Sequence, residues 1–152
     1  MDSLVPRVPG TRLALAESSY VLPARAYDEL PSTLPGLDTT TWAAFVARSR
    51  ARGRACGGLP SGRPGVLVSD SLLRTLPHGD GEAYWAEFRR RFPGATGLTA
   101  VSAVGESADG RQALLVVSHT CGSLCGWGSV VLLGRDATSA WRVRYARMLW
   151  VS

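Results

Sequence analysis

Apolar and polar positions change their spacing twice along this chain, dividing it into three stretches. Across residues 1–37 no helical or strand period is sustained. Pro6, Pro9, Pro23, Pro31 and Pro35 interrupt it, each removing a backbone donor and biasing the preceding residue away from helix. The prediction is an extended, proline-rich arm with at most a short strand or a turn of helix. From residue 38 a helical period sets in. Asp38 or a following threonine can cap, and Trp42, Phe45, Val46 and Ser49 fall at i, i+3, i+4 and i+7, which predicts an amphipathic helix ending near Gly53. Glycine and proline make residues 53–65 a loop. Val66-Leu67-Val68 is a short strand candidate, and Ser69 or Asp70 caps a brief helical turn through Leu72, Leu73 and Leu76, ended by Pro77. A helix starting at Asp80 places Tyr84, Trp85, Phe88 and Phe92 on one side, and Pro93-Gly94 stops it.

After Gly97 the pattern turns to strands. Residues 98–104, 112–121, 129–134 and 141–151 are rich in valine, leucine and tryptophan, with turn-forming residues between them. Four strands with short links predict an antiparallel meander. In the last of them Trp141, Val143 and Tyr145 alternate with Arg142 and Arg144, one face buried and the other wet. The expected fold class is α+β, with a C-terminal four-stranded antiparallel meander and two or three helices packed on one face. All 152 residues form one expected domain: the arm at 1–37, a mainly helical part at 38–97 and the sheet at 98–152.

With 45% hydrophobic residues the chain can bury a core without covalent staples. No run approaches the roughly 20 apolar residues of a membrane helix, and the N-terminus lacks a leader pattern. The expected compartment is therefore cytoplasmic as the sequence stands, and extracytoplasmic if a leader has been removed. A net charge of +5 invites a nucleic-acid reading. Against it, all 17 basic residues are arginine, and lysine, asparagine and isoleucine are absent, the imprint of a GC-rich genome. The excess sits at Arg48, Arg50, Arg52, Arg54 and Arg63, partly in the last helical turn, where cations suit the helix dipole. Nucleic acid is set aside as a partner.

Trp85, Phe88, Phe92-Pro93, Gly97, Val104-Gly105, Ala113-Leu114-Leu115, Leu124-Cys125-Gly126, Gly128, Leu132-Leu133, Trp141-x-Val143 and Trp150-x-Ser152 together resemble a family of uncharacterised bacterial proteins, often exported. The most specific piece is Cys-Gly-x-Leu-Cys-Gly-x-Gly followed by two strands. The resemblance covers about the last 70 residues and implies architecture, with no activity attached.

Chemistry concentrates at residues 119–128, His-Thr-Cys-Gly-Ser-Leu-Cys-Gly-Trp-Gly. His119 and Cys121 share a strand face and Cys125 returns from the loop, so the three could hold zinc or copper, with Cys56 as a fourth ligand if its loop folds across. The three-residue gap between Cys121 and Cys125 departs from the usual zinc-knuckle spacing. A Cys121–Cys125 disulfide is a second option, and two free thiols a third. A thiolate pair with His119, or a hydroxyl version using Ser102, Ser118 or Ser123, is a fourth. It lacks an orienting carboxylate, with Asp70, Glu106 and Asp109 merely available. Trp127, between Gly126 and Gly128, reads as an exposed recognition aromatic, and Trp150 as a cover for the sheet edge or a partner surface. The functional expectation is a small binding or interaction module for an unknown protein or small molecule, its contact surface near 119–128 with Trp127 and His119, and no cofactor. The alternative is a metal- or thiol-dependent protein using His119, Cys121 and Cys125. Third is a small enzyme with a helix-to-sheet pocket, its catalytic residues unknown.

Overall fold

A computed structural model of the chain describes residues 12–51, 53, 64–79 and 81–152. Arg52, Arg54, Cys56, Arg63 and Asp80, together with the first part of the expected arm, lie outside the described residues. In chain order the elements are β1 (Arg12–Ala16), α1 (Ala24–Thr33), α2 (Thr39–Arg50), β2 (Gly65–Val68), α3 (Asp70–Leu73), α4 (Glu82–Arg91), β3 (Ala95–Val101), β4 (Gly105–Glu106), β5 (Gln112–Gly122), β6 (Cys125–Arg135) and β7 (Trp141–Val151). The strands form one seven-stranded sheet in the order β2-β1-β3-β5-β6-β7, with β4 continuing the edge beside β5.

This sheet is larger than the expected four-stranded meander. The antiparallel run β5-β6-β7 is present, but β1 and β2 extend the sheet through parallel pairing, β1 lying between β2 and β3. Parallel neighbours need long crossovers, and the helices supply them: α1 and α2 between β1 and β2, α3 and α4 between β2 and β3. The stretch expected as an extended arm therefore holds a strand and a ten-residue helix. Pro31 sits near the C-terminal end of α1, where it forfeits the one helical bond its nitrogen would make and leaves only two helical residues beyond it to be disturbed. Leu22, Ala26, Leu30 and Leu34 pack toward the sheet at four-residue spacing.

Local signals explain the other helices. Asp38 caps α2, its carboxylate accepting from the Thr40 and Thr41 amides at 2.8 and 3.2 Å. That arrangement favours the ionised form and holds the Asp38 pKa below the usual carboxylate value, the Thr40 hydroxyl contributing most. The Ser69 hydroxyl accepts from the Leu72 amide and starts α3.

Register shows which face the helices cover. Ala14 pairs with Leu98, Leu98 with Thr120, and Thr120 with Gly126, so by alternation Ala14, Leu98, Leu114, Val116, Val130 and Leu132 share one side. Leu114, Val116, Val130 and Leu132 meet Leu30 of α1, Leu34 just after it and Phe45 of α2. Further along the same side, Ala14, Val68 and Ala95 meet Trp85 and Phe88 from α4. Helix α2 comes so near β4 that a side-chain carbon at Gly105 would stand 2.4 Å from the Phe45 amide nitrogen. On the opposite side Ala113, Leu115, Val117, Val131 and Leu133 are also buried, with Val101, Val104, Trp127 and Trp141 packed among them. Strands β5 and β6 are thus apolar on both faces, which is why Leu114–Val117 and Val130–Leu133 read as unbroken apolar runs.

Candidate functional site

The segment 119–128 is less a loop than the end of a long hairpin. Strands β5 and β6 continue to Gly122 and Cys125, leaving only Ser123 and Leu124 at the tip. Neither tip residue has a positive φ, so the turn is not of the mirror-image type that matches strand twist. Two other features hold it together. The register shifts at Cys121 between the Thr120–Gly126 and Gly122–Cys125 pairs, and Cys121 is bridged to Cys125 across a Cα separation of 5.1 Å, within the range a disulfide requires. Of the options for these cysteines, the disulfide is the one found. With both sulfurs in the bridge neither offers a thiolate, and among the described residues no cluster of three or more His, Cys, Asp or Glu is arranged to hold a metal ion. Cys56, the suggested fourth ligand, lies outside those residues.

His119 stands opposite Trp127 on the side of the sheet away from the helices. Their rings stack with centroids 6.1 Å apart. The His119 Nδ1 and the Thr99 hydroxyl are hydrogen-bonded at 3.1 Å, and the other edge of the ring lies over Gly97, where a side-chain carbon would come within 2.8 Å of Nε2. Burial lowers the His119 pKa and keeps the ring neutral near pH 7. None of the carboxylates considered for a triad is its partner: Asp70 bonds the Ser18 hydroxyl, Asp109 the Ser107 hydroxyl at 2.6 Å, and Glu106 lies on β4 opposite Ala113. Ser102 is likewise engaged, its oxygen accepting from the Val116 amide while its hydroxyl donates to the Ala103 carbonyl. Trp127, expected to be exposed, is half-buried because its ring lies against His119 and the apolar cluster on that face.

The helix side of the same hairpin is shaped by Trp150. A side-chain carbon at Gly128 would stand 2.1 Å from the Trp150 Nε1, and one at Gly126 3.1 Å from its six-membered ring. Gly126 and Gly128 therefore make room for an indole lying across β6, a purpose that turn chemistry alone did not reveal. Beyond Trp150 a groove of about 350 Å³ runs between α1 and β7, with Leu22, Leu30 and Leu149 toward its floor and Arg25, Glu29 and Arg147 at its mouth. A second, shallower cleft of about 680 Å³ lies between α4 and the turn after α3. Its charges are largely tied together. The Glu87 carboxylate bonds both Arg90 and Arg91, and these contacts pull its pKa down to about 2.

Comparison with protein-family models, with curated proteins and with solved structures found no match to this chain. The site has to be read from its own geometry. One residue that sequence reasoning passed over stands out: Leu124, 87% exposed at the bridged tip. The signal was present, since a leucine occupies a hairpin position where glycine, asparagine or serine is usual. Close by, Val151 pairs with Trp127 and Met148 with Ser129, and these two apolar side chains are 73% and 58% exposed.

Proposed function

We propose that the protein is a binding module whose contact surface is the bridged end of the β5–β6 hairpin together with the adjoining end of β7. The observation that carries this reading is Leu124, almost fully exposed on a tip that a covalent bond holds in shape. An apolar residue kept in water on a closed, pre-organised loop gains from contact with another surface, about 1.5–3 kcal/mol for a leucine fully buried there, with little ordering cost. Val151, opposite Trp127, and Met148, opposite Ser129, add exposed apolar side chains along the adjoining end of β7. His119 and Trp127 act here as the support beneath that surface: a neutral imidazole packed between Thr99, Gly97 and an indole stiffens the hairpin.

The test is site-specific photo-crosslinking in cells that make the protein. A benzophenone side chain at position 124 or 148 is expected to give discrete adducts, while the same group at position 89, on the solvent face of α4, gives none. Equal labelling from all three positions, or adducts from position 89 alone, would overturn the reading.

A further inference from the structure

We infer that the open edge of β7 receives an extended acidic segment of another protein, added as an eighth strand with glutamate or aspartate alternating with apolar residues. The proposal deepens the contact-surface reading above and rests on it. Strand β7 has eleven residues and ends the sheet order, with β6 as its one strand partner among the described residues. At its C-terminal end Gly126 and Ser152 exchange both main-chain bonds, at 3.3 and 3.0 Å. In an antiparallel ladder the next residue, Val151, then directs its N–H and C=O away from β6, toward the open edge. Such an edge is a template for a further strand.

The chemistry of the two faces specifies the occupant. On the helix side Arg142 pairs with Gly134 and Arg147 with Val130, and the Arg144 side chain lies over Gly134. No acid occurs in β7 itself. Asp136 engages Arg142 at 2.9 Å, whereas Arg147 has no ion-pair partner among the described residues. Arg147 stands with Arg25 at the mouth of the groove beside α1, where Glu29 is the single acid. On the other side Val143, Met148 and Val151 are exposed and follow one another along the strand. An added strand would therefore meet cations on one face and apolar side chains on the other. A second copy of β7 would bring three arginines against three. Arginines that discourage self-pairing do not discourage an acidic strand.

The experiment uses the intact, oxidised protein and two short peptides, one alternating glutamate with valine and its counterpart with lysine. Binding is followed by fluorescence anisotropy, and the site by amide hydrogen exchange. The glutamate peptide is expected to bind, to protect amides of β7 and to weaken as salt is raised. The combined change Arg142→Glu, Arg144→Glu and Arg147→Glu should weaken it about tenfold and shift preference to the lysine peptide. Arg147→Glu alone, which leaves the contacts of Arg142 and Arg144 in place, should act in the same direction with a smaller change. Equal binding of both peptides, protection away from β7, or a dimer in sedimentation that excludes the peptide would each overturn the inference. If no peptide binds but adducts still form from position 124, the inference fails and the contact-surface reading stands. If neither peptide nor adduct is seen, both fall.

Discussion

Strands β6 and β7 have the same length and run side by side, yet they live in different surroundings. From Val130 to Leu133 every residue of β6 is buried, while no residue of β7 reaches that state. The pairing between them is continuous apart from two register shifts, so main-chain bonding does not separate the two. What differs is cover. Strand β6 has helices α1 and α2 across one face and a cluster with two tryptophans across the other, whereas β7 sets Arg147 opposite Val130 and Arg142 and Arg144 beside Gly134. A strand can be anchored firmly by its neighbour and still leave most of its side chains in solvent, and the anchoring keeps the offered edge in shape.

The sharpest way to break this comparison is truncation on each strand. Leu132→Ala, at a site 2% exposed, is expected to cost about 2–5 kcal/mol, against within about 0.5 kcal/mol for Val143→Ala on β7. Urea denaturation of both variants checks it, and equal losses would remove the distinction. Next in size, Gly105→Ala forces a carbon against the backbone of α2 and should cost about 1–3 kcal/mol by the same assay. Replacing both Cys121 and Cys125 with serine should lower stability by about 2 kcal/mol, since the ring they close is small. Intact mass after alkylation, with and without reductant, verifies the bridge in the parent protein.

A subtler effect concerns pH. The folded His119 pKa lies below its ordinary value of 6.5, so the unfolded chain takes up the proton first. Stability contributed by this residue is complete above that value and declines as pH falls below it, levelling off under the folded pKa. Thermal melts between pH 7.5 and 5 should show this slope, flattened in His119→Gln. Smallest of all, Arg147→Glu should leave the melting curve almost unchanged, as expected for an exposed edge residue.

Elements whose signals are local were legible in the sequence. Helix α2 begins at the Asp38 cap, β5 begins at Gln112, and β7 spans Trp141–Val151, as their patterns predict. Signals that depend on distant partners were not. Strand β1 is five residues flanked by proline-rich chain, and it is a strand because β2 and β3 lie on either side of it. Helix α1 shows its apolar spacing only once Pro23 and Pro31 are recognised as its boundary and its last turns. Strand β3 runs over Ala95–Val101 instead of 98–104, because Ala95 pairs with Arg12 while Ser102 turns its hydroxyl onto the Val116 amide. Within the site, the disulfide was one of several options, and spacing alone did not choose it. Trp127 read as exposed because its glycine neighbours suggested a loop, and those glycines serve Trp150, which is more than twenty residues away in the chain.

That indole also gives the hairpin a reporter of its own. One α-hydrogen of Gly128 points into the Trp150 ring, so ring current should carry its proton resonance well upfield of other glycines. Any occupant that levers the last residues of β7 away from β6 would return the line to its ordinary position. Engagement of this end of the molecule could then be followed from that single line in the unlabelled, unmodified chain.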